Sequence, residues 1–124
     1  MRETVLVGLG GMAGSIARYQ LSALLQRVTG SAFPFGTVTV NVLGSFVLGL
    51  VLALTHHRGE AAIPLRALLA VGFCGGFTTM STFSYESVAL WRDGQAAFAT
   101  GNVLLTLVAC LLAVWLGLAA GRAG

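Results

Sequence analysis

The chain has 124 residues, 56% of them hydrophobic and 9% charged, with a mean hydropathy of +0.88. A soluble domain keeps about a quarter of its residues charged, so most of this chain must face lipid rather than water. The net charge of +3 comes from arginines and four acids without a lysine, too few and too scattered for a nucleic-acid footprint.

A helix needs about 20 apolar residues to cross the ~30 Å hydrocarbon core. The pattern predicts an all-α, multi-pass membrane protein with one four-helix domain, its spans at about 4–26, 36–56, 65–91 and 95–121. The first span follows Arg2 and runs past Arg18 without a small-x-small cleavage site, which reads as a membrane helix rather than a signal peptide. Its VLVGLGGMA stretch (Val5–Ala13) fits a G-x-G-x-x-[G/A] pattern. The acid that a dinucleotide site needs about 20 residues later is absent, because no Asp or Glu occurs between Glu3 and Glu60. Nucleotide binding is therefore set aside. Arg18 lies well inside the span, where a centred arginine costs at least ~2.5 kcal/mol. It is expected to face the interior, with Glu86 its nearest type of partner.

In the second span Thr37, Asn41 and Ser45 recur every four residues and share one helical face. The connection HHRGEAAIP follows, and His56 and His57 read there as solvated or headgroup-level side chains. The third span carries GFCGGFTTMSTFSYE, poor material for an unbroken helix: adjacent glycines weaken it and hydroxyls compete for backbone partners. Unwinding is expected around Gly75–Thr79, and non-helical backbone at membrane depth is tolerated only where it is buried in protein or lines a cavity. Freed carbonyls there could hold a cation. Met80 and Phe83, three residues apart, follow the break, and the positive edge of a phenylalanine ring can meet an anion. In the fourth span Asn102, Thr106 and Cys110 form a second polar stripe. The two stripes can line one uncharged route, or they can be interhelical packing glue. Cys74 and Cys110 both fall in apolar runs and read as buried free thiols.

The N-terminus, middle loop and C-terminus share one side, with Arg2, Arg58, Arg66 and Arg122, against Arg27 and Arg92 on the other. That bias is weak for the positive-inside rule, so insertion in both orientations is plausible. Four short helices enclose little volume, so a pore calls for a second copy. Small-xxx-small spacing at Gly10/Gly14, Gly72/Gly76 and Gly117/Gly121 suits close helix approach.

GGMAGSIARY, GTVTVNVLGSFVLG and GFCGGFTTMSTFSYE, in that order, together resemble the CrcB/Fluc fluoride channel family. The resemblance covers nearly the whole chain. It implies an antiparallel dual-topology homodimer in the cell membrane, with two fluoride pathways along the subunit interface and passive, potential-driven export of fluoride that relieves its toxicity. It implies a structural sodium ion at the dimer centre, held by the backbone carbonyls of Gly75 and Thr78. Asn41 matches the family's pore asparagine and Phe83 the second of two pore-facing phenylalanines. Ser81 and Thr82 match the hydroxyl pair between those aromatics, Asn102, Thr106 and Cys110 the fourth-span polar track, and Arg18 the first-span arginine. Thr37 is taken as part of the pathway, and Glu86 as a structural or vestibule group. The departure is Met80, where the family usually has phenylalanine; conduction is expected to survive with altered rate or selectivity.

Two alternatives compete: a proton-coupled fluoride antiporter, and a small dual-topology multidrug exporter. The latter needs a membrane-embedded carboxylate, where the first span here offers Arg18. An enzyme is disfavoured by the lack of a paired Asp, a His–Glu metal set or a Ser–His pair within the spans.

Overall fold

The computed structural model describes residues 1–124 and is all-helical. Helix α1 (Arg2–Thr29) stops at Gly30, whose positive φ of 59° lets its N–H turn back to the Gln26 carbonyl. The turn into α2 (Phe35–Leu54) is held by Gln26, whose amide donates to the Ser31 and Phe33 carbonyls and accepts from the Gly36 N–H. A short 3₁₀ stretch (His56–Ala62), reversed at Gly59 with φ 55°, leads into the third span.

The third span is two helices. The first, α3 (63–77), joins α-helical Ile63–Arg66, with Pro64 in its opening turn, to π-helical Ala67–Cys74 and α-helical Gly75–Phe77. Thr78 and Thr79 are extended (φ −96°, ψ 160° and φ −151°, ψ 119°). Helix α4 (Met80–Arg92) then begins, and α5 (Ala96–Ala123) completes the chain after a turn at Gly94. Gly75 and Gly76, expected to unwind, remain helical; the two threonines after them carry the extended backbone. The reason is packing: a Cβ at Gly76 would strike the Gly11 carbonyl, so this glycine serves close approach within a helix.

Three stretches are long and apolar enough to cross a membrane: Phe35–Leu54, His56–Arg92 and Ala96–Ala123. Helix α1 is as long as α5 but carries Arg2, Glu3, Arg18 and Arg27. The protein thus has three to four helices able to span a bilayer. Helix α1 packs mainly on α3, and α2 on α5. Gly10 and Gly14 lie against the Leu68 and Phe73 carbonyls, Gly72 against that of Val7, and Gly117 against that of Phe46. The small-residue spacing is therefore used for contacts within the chain. The outer face of α5 exposes Leu104, Val108, Leu111, Leu112 and Trp115, an apolar surface suited to lipid.

Candidate functional site

Interrupting a helix strands backbone groups, and each one buried away from water needs a partner. Asn41, buried in α2, reaches across to the extended pair and binds Thr79 twice. Its Oδ1 accepts the Thr79 N–H at 2.7 Å and its Nδ2 donates to the Thr79 carbonyl at 3.1 Å. A side-chain amide thus stands in for a neighbouring peptide group. Thr79 Oγ1 caps α4 by accepting the Thr82 N–H at 3.1 Å. Thr78 Oγ1 turns back to the Cys74 carbonyl at 2.8 Å.

These bonds redirect donors that an unbroken helix would send elsewhere. The Thr79 N–H would have met the Gly75 carbonyl, and the Thr82 N–H that of Thr78. Both carbonyls are among the oxygens left open, and Gly75 is exposed with no atom within 4 Å of where a Cβ would stand. Uncharged carbonyls of this kind suit a small hard cation. No cluster of three His, Cys, Asp or Glu side chains competes as a metal site.

Arg18 answers a third displaced group. Its Nε donates to the Gly76 carbonyl at 3.0 Å. Its partner is backbone, and Glu86 lies elsewhere: it lines a pocket with Thr37, Gln26, Tyr19 and Thr82, where its Oε1 is buried without a hydrogen bond. Replacing Arg18 by methionine keeps the apolar stem but orphans the Gly76 carbonyl. A loss of about 1.5–3 kcal/mol is expected, read as a lower unfolding midpoint in detergent, with lysine recovering part of it.

A separate groove gathers most of the predicted residues. Asn41, Met80, Phe83, Thr106 and Cys110 line it together with Ser45, Thr78 and Thr79, around about 330 Å³. No formally charged side chain borders it. Phe83 is buried while Met80 is 67% exposed, so the two residues of the M-S-T-F segment meet different surroundings. Asn102 is shut away from the groove. It is wholly buried, donates to Ser87 Oγ at 2.9 Å and accepts from Thr106 Oγ1 at 3.2 Å. Asn102 thus ties α5 to α4, while Thr106 and Cys110 continue the stripe into the groove. Ser81 and Thr82 sit on the exposed side of α4, and Thr37 lies with Glu86.

Two residues escaped the sequence reading. Thr79 holds three of the bonds described above, and Ser87 joins Asn102 to the Phe83 carbonyl. A capping signal was available for Thr79, a Thr three residues before Thr82 at the start of an apolar helix. Nothing in the pattern distinguished Ser87.

A family model described as CrcB-like protein, Camphor Resistance (CrcB), matches residues 5–118. The chain belongs to the CrcB family. Among CrcB-family relatives, a protein of Geotalea daltonii named fluoride-specific ion channel FluC is 41% identical over 122 residues, covering 98% of each chain. Proteins of the same name from Koribacter versatilis and Shewanella baltica are both 45% identical, over 92% and 94% of this chain and 90% and 94% of their own. The likeness runs through all the helices, so the Asn41–Thr79 clamp and the uncharged groove lie within the shared CrcB region.

Proposed function

We propose that this CrcB protein is a fluoride-selective channel that lets fluoride leave the cell passively, driven by the membrane potential. The observation that carries this reading is the uncharged groove. It offers an anion the Ser45 and Thr79 hydroxyls and the second amide proton of Asn41 beside the Phe83 ring, in a lining of uncharged groups with no fixed cation to trap it. Fluoride gives up its hydration only where such donors replace water, and a path of neutral donors lets it go again. The FluC names of the relatives support fluoride as the ion.

A single protomer gives this path only one wall. The groove is open, and Gly75, Met80, Ser81, Thr82 and Ser84 all face outward from a segment placed within the bilayer. Hydroxyls facing lipid are costly, so a second copy covers them in our reading. With opposite insertion of the two copies, the weak arginine bias fits both orientations. At the join, the Gly75 and Thr78 carbonyls of each copy would hold a sodium ion, which supplies positive charge to bind the broken segments together. The extended Thr78–Thr79 backbone is, on this reading, a break at membrane depth that exists to present those oxygens.

A proton-coupled antiporter is separated from a channel by fluoride efflux measured with and without an imposed pH gradient, at a fixed potential. The channel reading expects the same initial rate in both. A rate that follows the proton gradient overturns it. Met80→Phe is expected to leave folding intact, because Met80 is exposed, and to change the fluoride rate rather than abolish it. Electrode traces from vesicles holding either protein would check this.

A further inference from the structure

A second cavity, roomier than the groove, is not part of it. It lies at the end of the bundle where α2 finishes, the 3₁₀ stretch begins and α5 reaches its last turn, and it encloses about 530 Å³. Four potentially cationic side chains line it: His56, His57, Arg66 and Arg122. No aspartate or glutamate side chain borders it, although Gly124, the last residue of the chain, does. Leu52, Leu54 and Leu118 form the apolar part of the wall.

Arg66 is pre-set for a ligand. Its Nε donates to Thr55 Oγ1 at 2.8 Å, and that hydroxyl, on a residue 2% exposed, is itself fixed by donating to the Val51 carbonyl at 2.7 Å. This bond is the one the Arg66 side chain makes, so its terminal nitrogens remain free while the guanidinium plane is held. The His56 and His57 rings stand edge to face, with centroids 5.2 Å apart, and keep their ring nitrogens unbonded. Arg122, exposed in the last turn of α5, also lines the cavity. A planar, oriented guanidinium with free donors matches the oxygens of a phosphate group.

We propose that this cavity binds a phosphate group, presented by the headgroup of an anionic phospholipid. The apolar wall argues for the lipid. In a bilayer this end of α2 and α5 sits at headgroup depth, so a phosphate on Arg66 and Arg122 brings its glycerol and first acyl carbons over Leu52, Leu54 and Leu118. Free phosphate offers the arginines the same oxygens and leaves that wall bare. The site is separate from the ion path, whose groove shares none of its lining residues.

The test is native mass spectrometry of the intact purified protein, titrated with phosphatidylglycerol or phosphatidylcholine, and repeated with inorganic phosphate as competitor. Tighter retention of phosphatidylglycerol is expected, weakened about fivefold for each of Arg66→Gln and Arg122→Gln. Arg122→Gln and His57→Gln alter exposed side chains, so they stay informative if Arg66→Gln disturbs the Thr55 contact. Equal binding of both lipids that millimolar phosphate does not displace, or phosphatidylglycerol binding that ignores all three substitutions, overturns the proposal. Displacement by millimolar phosphate with no preference between lipids keeps the phosphate site but rejects the lipid as its source. Reduced fluoride flux in Arg122→Gln with unchanged lipid binding rejects it in favour of an ion vestibule.

Discussion

Asn41→Ala is expected to reduce fluoride flux by roughly 100-fold or more while leaving the protein in the membrane. The substitution removes both bonds to Thr79 and leaves its N–H and carbonyl without partners in a partly buried setting. Each orphaned group costs about 1–3 kcal/mol, and every ~1.4 kcal/mol against the conducting geometry is tenfold in rate. The expected structural response is for the Thr79 N–H to return to the Gly75 carbonyl, closing one of the oxygens proposed to hold a sodium ion. Asn41→Asp sharpens the test. It keeps an acceptor for the Thr79 N–H but sets a carboxylate against the Thr79 carbonyl and beside the ion path, so flux is expected to fall at least as far. Electrode recordings from vesicles, with protein content matched, decide this. Wild-type flux in Asn41→Ala would remove Asn41 from the pathway and reduce it to packing.

The second large effect concerns folding. Gly14→Val and Gly117→Val are each expected to cost more than ~3 kcal/mol, or to prevent recovery of monodisperse protein. A Cβ at Gly14 meets the Phe73 carbonyl and the Phe77 N–H, and one at Gly117 meets the Phe46 carbonyl. Both obstacles are backbone of a facing helix and cannot rotate aside, so overpacking costs rise beyond the usual 1–3 kcal/mol. Gly8 is the control: nothing lies within 4 Å of its missing Cβ, and Gly8→Ala is expected to match the parent protein. Chemical unfolding in detergent gives the comparison. Normal stability in both valine variants would mean that the α1–α3 and α2–α5 seams are loose enough to take an added side chain.

Much of this was legible in the sequence, for identifiable reasons. Four apolar stretches show through because lipid tolerates few charges, and the i, i+4 recurrence of Asn41 with Thr37 and Ser45 places them on one face whatever their tertiary partners. Other features depend on three-dimensional contacts that no local pattern encodes. Gly75 and Gly76 looked like the helix breakers, yet the side-chain bonds of Thr78 and Thr79 stabilise the extended backbone and the glycines stay helical. The π-helical run Ala67–Cys74 has an ordinary apolar sequence; the register shift is visible only in the folded chain, where it packs against α1. Arg18 was matched with an acid because charge suggests charge, whereas a helix break supplies an open carbonyl nearer by. Asn102 followed the same i, i+4 logic as Asn41 and meets a different fate, enclosed by Ser87 and Thr106 rather than facing the groove.

Which ion passes is the most direct test of a fluoride channel. Purified protein in liposomes loaded with fluoride, or in a parallel set with chloride, is exposed to a potential set by a potassium ionophore while an electrode follows release. Rapid fluoride release with little chloride release is the predicted result. Comparable release of both ions, or none of either from well-folded protein, would contradict it.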